Sequence, residues 1–328
     1  MKRVCSILLL LCCAAGLFSE EVSEKKSEEE KSPWEFWLIT DFAYHVKSAY
    51  ETGDSHFSAV ESPYRSIKAR TRFEAAYTIP MLQKDNPLMK DNHLTLMGTC
   101  ELTPVTILPQ IMATFSPAAM LELNAGIKAG TGWSLGEDTF GIADYNFSNK
   151  QYERLPPFCS WYVSPWASAL VQFDLGALWP GDWHHIVALA EYTVRYDKMT
   201  GTSSPLWSWR TNPAMADGWV YNQYYVVGYQ MPLVLSMVGL IAELEGHYNA
   251  SDYGSIADSF DGGFMSAILS PILIFTLSET DEIYFVGNIT ARRSFAESHS
   301  EEDEEPLLTK TGREWFLDFF AVRWVHRF

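Results

Sequence analysis

Residues 67 to 79 sort their side chains into two classes with a period of two. Ile67, Ala69, Thr71, Phe73, Ala75, Tyr77 and Ile79 form one face; Lys68, Arg70, Arg72, Glu74 and Thr78 form the other. A helix would scatter these charges around its axis, whereas an extended strand keeps them apart. The pattern recurs. Phe36, Leu38, Phe42, Tyr44 and Val46 oppose Asp41, His45 and Lys47. Further on, Ile186, Ala188, Ala190, Tyr192, Val194 and Tyr196 oppose Glu191, Thr193, Arg195 and Asp197.

Twelve such segments are expected, centred near Thr40, Phe73, Met97, Ile111, Ala125, Ala167, Ala190, Tyr225, Leu240, Ala267, Val286 and Phe320. Most have the length of about 9–11 residues that a tilted strand needs to cross a bilayer. Beyond the first residues there is no uninterrupted apolar run of helical spanning length. A membrane chain without such helices has one other architecture open to it, the closed barrel. The connections support that choice. The long ones (48–65, 134–160, 198–218, 249–262, 295–312) follow segments one, five, seven, nine and eleven, and most of the intervening ones are short. Long loops on one side and short turns on the other are the asymmetry of transmembrane barrels. The expected fold is therefore all-β: a single antiparallel transmembrane barrel of about twelve strands over residues 34–328. Two links fit less well. Pro80 to Asn92 is long for a turn, and Thr103-Pro104 is short for an external loop. They leave ten or fourteen strands as alternatives, with a soluble β-sandwich as the competing fold.

The N-terminus reads as an export signal. Lys2 and Arg3 precede an apolar run from Val4 to Ala15, and small residues follow at Gly16 and Ser19. Residues 1–19 are expected to be cleaved, with lipidation at Cys12 as the weaker alternative. Residues 20–33 form an acidic segment: Glu20 to Lys31 hold six acids and three lysines. The formal charge of −17 becomes −17 − 2 = −19 without Lys2 and Arg3. So acidic a chain is a poor ligand for nucleic acid. Cys100 and Cys159 would remain after export, and both are expected to be unpaired.

The chain ends Trp324-Val325-His326-Arg327-Phe328, and counting back in twos gives His326, Trp324, Val322 and Phe320. A terminal aromatic after alternating apolar residues resembles the closing strand of bacterial outer-membrane β-barrel proteins of the porin-like kind. His326, and Asp318 on what the count makes the same face, depart from that pattern. The resemblance implies that the last strand pairs with the first. It also implies that this strand, ending at Phe328, is read by the outer-membrane barrel assembly machinery. The implied location is the bacterial outer membrane, in contact with its lipid, with both termini periplasmic. Trp34, Trp37, Trp133, Trp161, Trp166, Trp183, Trp219, Trp315 and Trp324 fall near strand boundaries, where interfacial girdles are expected.

If the apolar faces meet lipid, the polar faces meet the lumen. Lys68, Arg70, Arg72, Glu122, Glu191 and Arg195 are the expected pore-lining charges, and facing acids and bases would select small solutes. The opposing expectation is that these charges pair across a narrow lumen and fill it, with loop 134–160 folding in. Three other functions stay open. A hydrophobic-solute transporter would use the aromatics of 134–160 and 198–218, such as Trp207, Trp209 and Trp219. A barrel enzyme acting on lipid or peptide would need a histidine beside a nucleophile, and His45, His93, His184, His185 and His247 stand in no recognised motif. A surface-interaction protein would use the acidic loop of Glu297, Glu301, Glu302, Asp303, Glu304 and Glu305. No cofactor is expected: calcium-loop spacing and phosphate-cradling glycine loops are both missing from the sequence.

Overall fold

The computed structural model describes residues 32–135, 141–210, 212–300 and 302–328. The expected signal and most of the acidic segment lie outside them. Strands dominate, because β-branched, aromatic and small residues alternate with polar ones over long stretches. In chain order they are β1 (Trp34–Ser48), β2 (His56–Phe57), β3 (Val60–Pro80), β4 (His93–Leu102), β5 (Thr106–Ala118) and β6 (Leu121–Gly132). Then come β7 (Gly141–Asn146), β8 (Gln151–Arg154), β9 (Tyr162–Asp174), β10 (Ile186–Met199), β11 (Leu206–Arg210) and β12 (Asn212–Ala216). The last five are β13 (Gly218–Gln230), β14 (Leu235–His247), β15 (Ser266–Thr276), β16 (Asp281–Phe295) and β17 (Lys310–Arg327).

Twelve of these form the wall, in the order β1-β3-β4-β5-β6-β9-β10-β13-β14-β15-β16-β17, and β17 pairs back to β1 to close it. Every wall pairing is antiparallel. Each of the twelve expected centres falls inside a different wall strand. The count is even because Thr103 to Val105 is a true hairpin connection between β4 and β5, which pair from His93↔Ser116 to Leu102↔Ile107. The two-residue β2 adds to the rim by parallel pairing with β17.

The wall residues alternate between a buried inward face and an exposed outward one. Phe42, Ile67, Phe73, Leu96, Ile111, Val171, Val227, Leu240, Phe285 and Phe320 point outward and are exposed. Their exposure is what the surrounding hydrocarbon of a bilayer would cover. A register shift between Leu317 and Phe319 explains an apparent anomaly at the chain end. It places Asp318 inward, on the face opposite Phe320, where its Oδ1 is 3.0 Å from His45 Nδ1. His326 keeps an acid for company at the short-turn end: its Nδ1 lies 2.9 Å from Asp281 Oδ1.

Two aromatic expectations are corrected. Trp37 belongs to the inward face of β1 and is buried, and Trp166 points inward on β9, close beneath Gly126 and within 5.8 Å of Lys128 Nζ. Position near a strand end does not fix which side of the pleat a ring takes; parity does. Trp34, Trp161, Trp183, Trp219 and Trp324 are exposed.

Candidate functional site: the charged barrel interior

The connections at the long-loop end do not simply project. Those between β6 and β9 and between β10 and β13 contribute a separate sheet, in the order β12-β11-β7-β8. Its β11 carries Trp207 and Trp209, which bury against Leu108 and Tyr162 of the wall and against Ile142, Leu155 and Met199. Trp209 stacks 5.0 Å from the Tyr162 ring. It fits because residue 130 is glycine: a Cβ there would sit 2.9 Å from the indole. A second apolar cluster joins this sheet to the other outer connections through Tyr145, Leu206, Tyr253, Phe260, Phe295 and Leu308. The expectation that 134–160 folds in is thus extended. The connection 200–217 reaches the interior as well, and its tryptophans pack against the wall instead of standing free as a trap for apolar ligands.

At the end of β11, Arg210 reaches the wall. Its guanidinium is 2.7 Å from Glu101 Oε1, and its Nε donates to Thr106 Oγ1 at 2.8 Å. Arg210 has a φ of 65°, a conformation that a non-glycine residue holds only under the constraint of its neighbours. Glu101 also accepts from Arg70 at 3.1 Å, and Arg70 Nε donates to Asp41 Oδ2 at 2.7 Å. Asp41 then accepts from Arg323 Nε at 2.5 Å. Alternating charge therefore runs from β17 across the closing seam through β1, β3 and β4 to the inserted loop.

The other sequence-predicted residues also face inward. Arg72 Nε is 2.6 Å from Glu74 Oε1, and Lys68 follows Arg70 on the same face. Across the ring, Arg195 Nε donates to Asp197 at 2.8 Å and its Nη1 to Glu245 at 2.7 Å. Glu122 and Glu191 are buried, and in each case Oε2 has no partner. Sequence reading found the ladder on β3 and put Asp41 and Glu101 on polar strand faces, but it did not link them to the ladder, and it missed Arg323 and Arg210. Asp41, Glu101 and Arg323 lie on other strands, and Arg210 lies in a connection with no alternation to mark it.

Outside the expected membrane span, two titrating groups are displaced. Hydrogen bonds from His326, Thr280 and Trp324 hold the exposed Asp281 carboxyl well below the ordinary range. Burial alone would lower His56, but the Asp54 carbonyl and the Glu314 carboxylate outweigh it and raise the imidazole above its usual value.

The histidines have carboxylate or backbone partners: His45 with Asp318, His185 with Asp174, His247 with Asp252. His93 Nε2 lies 3.4 Å from Ser116 Oγ, and its Nδ1 meets the Asp91 carbonyl at 2.7 Å. That Ser–His distance is at the outer limit of a hydrogen bond, and the histidine is oriented by a backbone oxygen. Among the described residues no three metal-ligating side chains converge. Cys100 and Cys159 are both free.

No protein-family model and no curated protein matches this sequence. Solved structures do resemble the fold. An outer-membrane channel from Pseudomonas putida F1 superposes with a TM-score of 0.44 at 10% identity, over 94% of this chain and 100% of that one. The outer-membrane channel DcaP of Acinetobacter baumannii gives 0.39 at 10%, over 94% and 100%. Outer-membrane phospholipase A from Escherichia coli gives 0.32 at 11%, over 90% and 91%. Channels and an enzyme stand side by side at this level of likeness, which therefore says nothing about what this barrel conducts, binds or cleaves.

Proposed function

We propose that the chain is an outer-membrane channel for small solutes, and that the described conformation is its closed state. The observation that carries the reading is the segregation across the wall: an apolar exterior from Phe36 round to Phe320, and an interior of ionisable side chains from Asp41 to Arg323. A barrel that only needed stability would gain little from this interior, because burying charge costs desolvation even when each charge is paired. A water path that opens between the charges makes use of them. In this reading the short-turn end, with Trp34 and Phe328, faces the periplasm and the long-loop end faces outward.

Closure follows from the inserted sheet. Trp209 fills the space above Gly130, and Arg210 ties the sheet to Glu101 and Thr106. Opening requires the sheet to give up the Arg210 contacts and the Trp209 packing, so a solute or applied field must favour the open state by more than these contribute. Planar-bilayer recording on the refolded chain tests the proposal. Discrete conductance steps, altered in ion selectivity by Arg70→Glu and Arg72→Glu, are the expected result. A barrel that remains silent even when 200–217 is shortened would refute it.

A further inference from the structure

Most interior carboxylates have an arginine: Asp41, Glu74, Glu101, Asp197, Glu245 and Glu314 all lie in ion pairs. Glu122, Glu191 and Glu243 do not. Among the described residues no basic nitrogen lies within 4.0 Å of any of the three, and their own bonds are few. Glu243 accepts from Asn222 at 2.7 Å, and Thr193 reaches Glu191 Oε1 only at 3.5 Å. Glu122 and Glu191 are 3% and 7% exposed, and each has an Oε2 with no partner. Two carboxylates more than nine-tenths buried, each with an unpartnered oxygen and no basic neighbour, are costly as they stand.

Their arrangement is ordered. In the wall register Glu122 of β6 stands opposite Leu170 of β9, and Leu170 opposite Glu191 of β10. Glu191 stands opposite Tyr224 of β13, and Tyr224 opposite Glu243 of β14. Carboxylates thus alternate with an aliphatic and an aromatic side chain along one continuous row. The row also climbs. Glu122 is the second residue of β6, Glu191 the sixth of β10 and Glu243 the ninth of β14, each counted from the short-turn end. Glu243 and its neighbour Glu245 are part-exposed, so the upper end of the row meets solvent while the lower end is sealed. Glu191 is also the charge whose field reaches Glu122.

We infer that this row binds an organic cation carrying alkylammonium groups, which enters at Glu243 and is held between Glu191 and Glu122. Adjacent strands are about 4.8 Å apart, so the backbones of Glu122 and Glu191 are separated by roughly twice that. That spacing is wide for one bare ion shared by both, and no third ligand converges there. It suits two ammonium groups on a short chain whose methylenes rest on Leu170. The opposite side of the ring carries Arg70, Arg323 and Arg210 paired with Asp41 and Glu101, so its acids are already matched by arginines and the unmatched carboxylates lie on the row. The inference takes its role in transport from the channel reading, but the site itself does not depend on conduction.

The test uses the full chain refolded in detergent and 1,5-diaminopentane as the probe. Titration calorimetry is expected to show saturable binding, at least tenfold weaker in Glu122→Gln/Glu191→Gln, with no heat from the diol of the same length. Heat-modified gel mobility establishes that each variant is folded, and the single Glu191→Gln serves if the double variant is not. Absence of binding to the unaltered chain, or equal binding by the folded variant, overturns the site. Bilayer currents separate the two proposals. Currents from a chain that does not bind the diamine remove the site and leave the channel; diamine binding without any current removes the channel and leaves the site.

Discussion

Arg210, at the tip of an inserted loop strand, lies 2.7 Å from Glu101 on the inner wall, and no other described ion pair joins that loop sheet to the barrel charges. The pair is the outermost member of a chain in which Glu101, Arg70, Asp41 and Arg323 alternate in sign. Replacing Arg210 by alanine leaves Glu101 still paired with Arg70, so the wall keeps its balance while the loop loses its anchor. Hydrogen bonds to charged groups contribute about 1.5–3 kcal/mol. The closed-to-open ratio is therefore expected to fall roughly 10- to 100-fold. Single-channel recording reads this directly: Arg210→Ala shows more frequent opening at unchanged unit conductance. Unchanged opening would mean that the latch lies elsewhere.

Asp41 has the opposite character. It bridges Arg70 of β3 and Arg323 of β17 across the strand that closes the ring, and Arg323 is its direct register partner. Asp41→Ala leaves two facing guanidiniums without their shared acid. Removing one partner from a buried pair typically costs about 3–5 kcal/mol. The expected outcome is a clear drop in the temperature at which the folded gel band converts to the unfolded one. Asp41→Ala/Arg323→Met, which removes the charge on both sides of the seam, is expected to recover part of the loss.

The contrast between these residues shows what the sequence makes legible. Strand parity is a local property, so the twelve wall strands, the outward Ile67 and Phe73 and the inward Arg70 and Glu191 follow from the residues alone. Pairing is not local. Asp41 and Arg323 are 282 positions apart, and no periodicity announces their contact. The inserted sheet is hidden for a related reason. Its strands β7, β8, β11 and β12 are four to six residues long and too short to show an alternation. Bulges defeat parity too: one extra residue on β17 moved Asp318 from the lipid face to the interior.

The same parity gives a test of the outward face. Ile111 is near the middle of β5 and is 66% exposed, more than any other apolar wall residue save those at the strand ends. In a bilayer this site lies in hydrocarbon, where an arginine costs about 2–4 kcal/mol near the midplane. Ile111→Arg is expected to lower folding yield into phospholipid vesicles while leaving solubility in denaturant unchanged. The matched change on the inward face, Met112→Arg, disrupts packing without facing lipid, and its penalty should not vary with lipid chain length. Equal dependence on chain length at both positions would contradict the assignment of faces.

At the long-loop end, acidity is expected to tighten one connection. His56 Nε2 is 3.1 Å from Glu314 Oε1 and its Nδ1 is 2.7 Å from the Asp54 carbonyl, and these acceptors raise the imidazole's affinity for a proton despite partial burial. Glu51 adds to the attraction, while Arg292 lies on the far oxygen of Glu314. Because the folded value lies above the free one, the pair's contribution is complete below the free imidazole value of about 6.5 and fades as pH rises through the folded value. Amide exchange in 49–59 is therefore expected to quicken beyond its intrinsic pH dependence as pH rises above about 6.5. His56→Gln keeps a neutral hydrogen-bonding side chain and should flatten that excess. An identical pH profile in the two proteins would show that His56 has no part in holding the connection to β17.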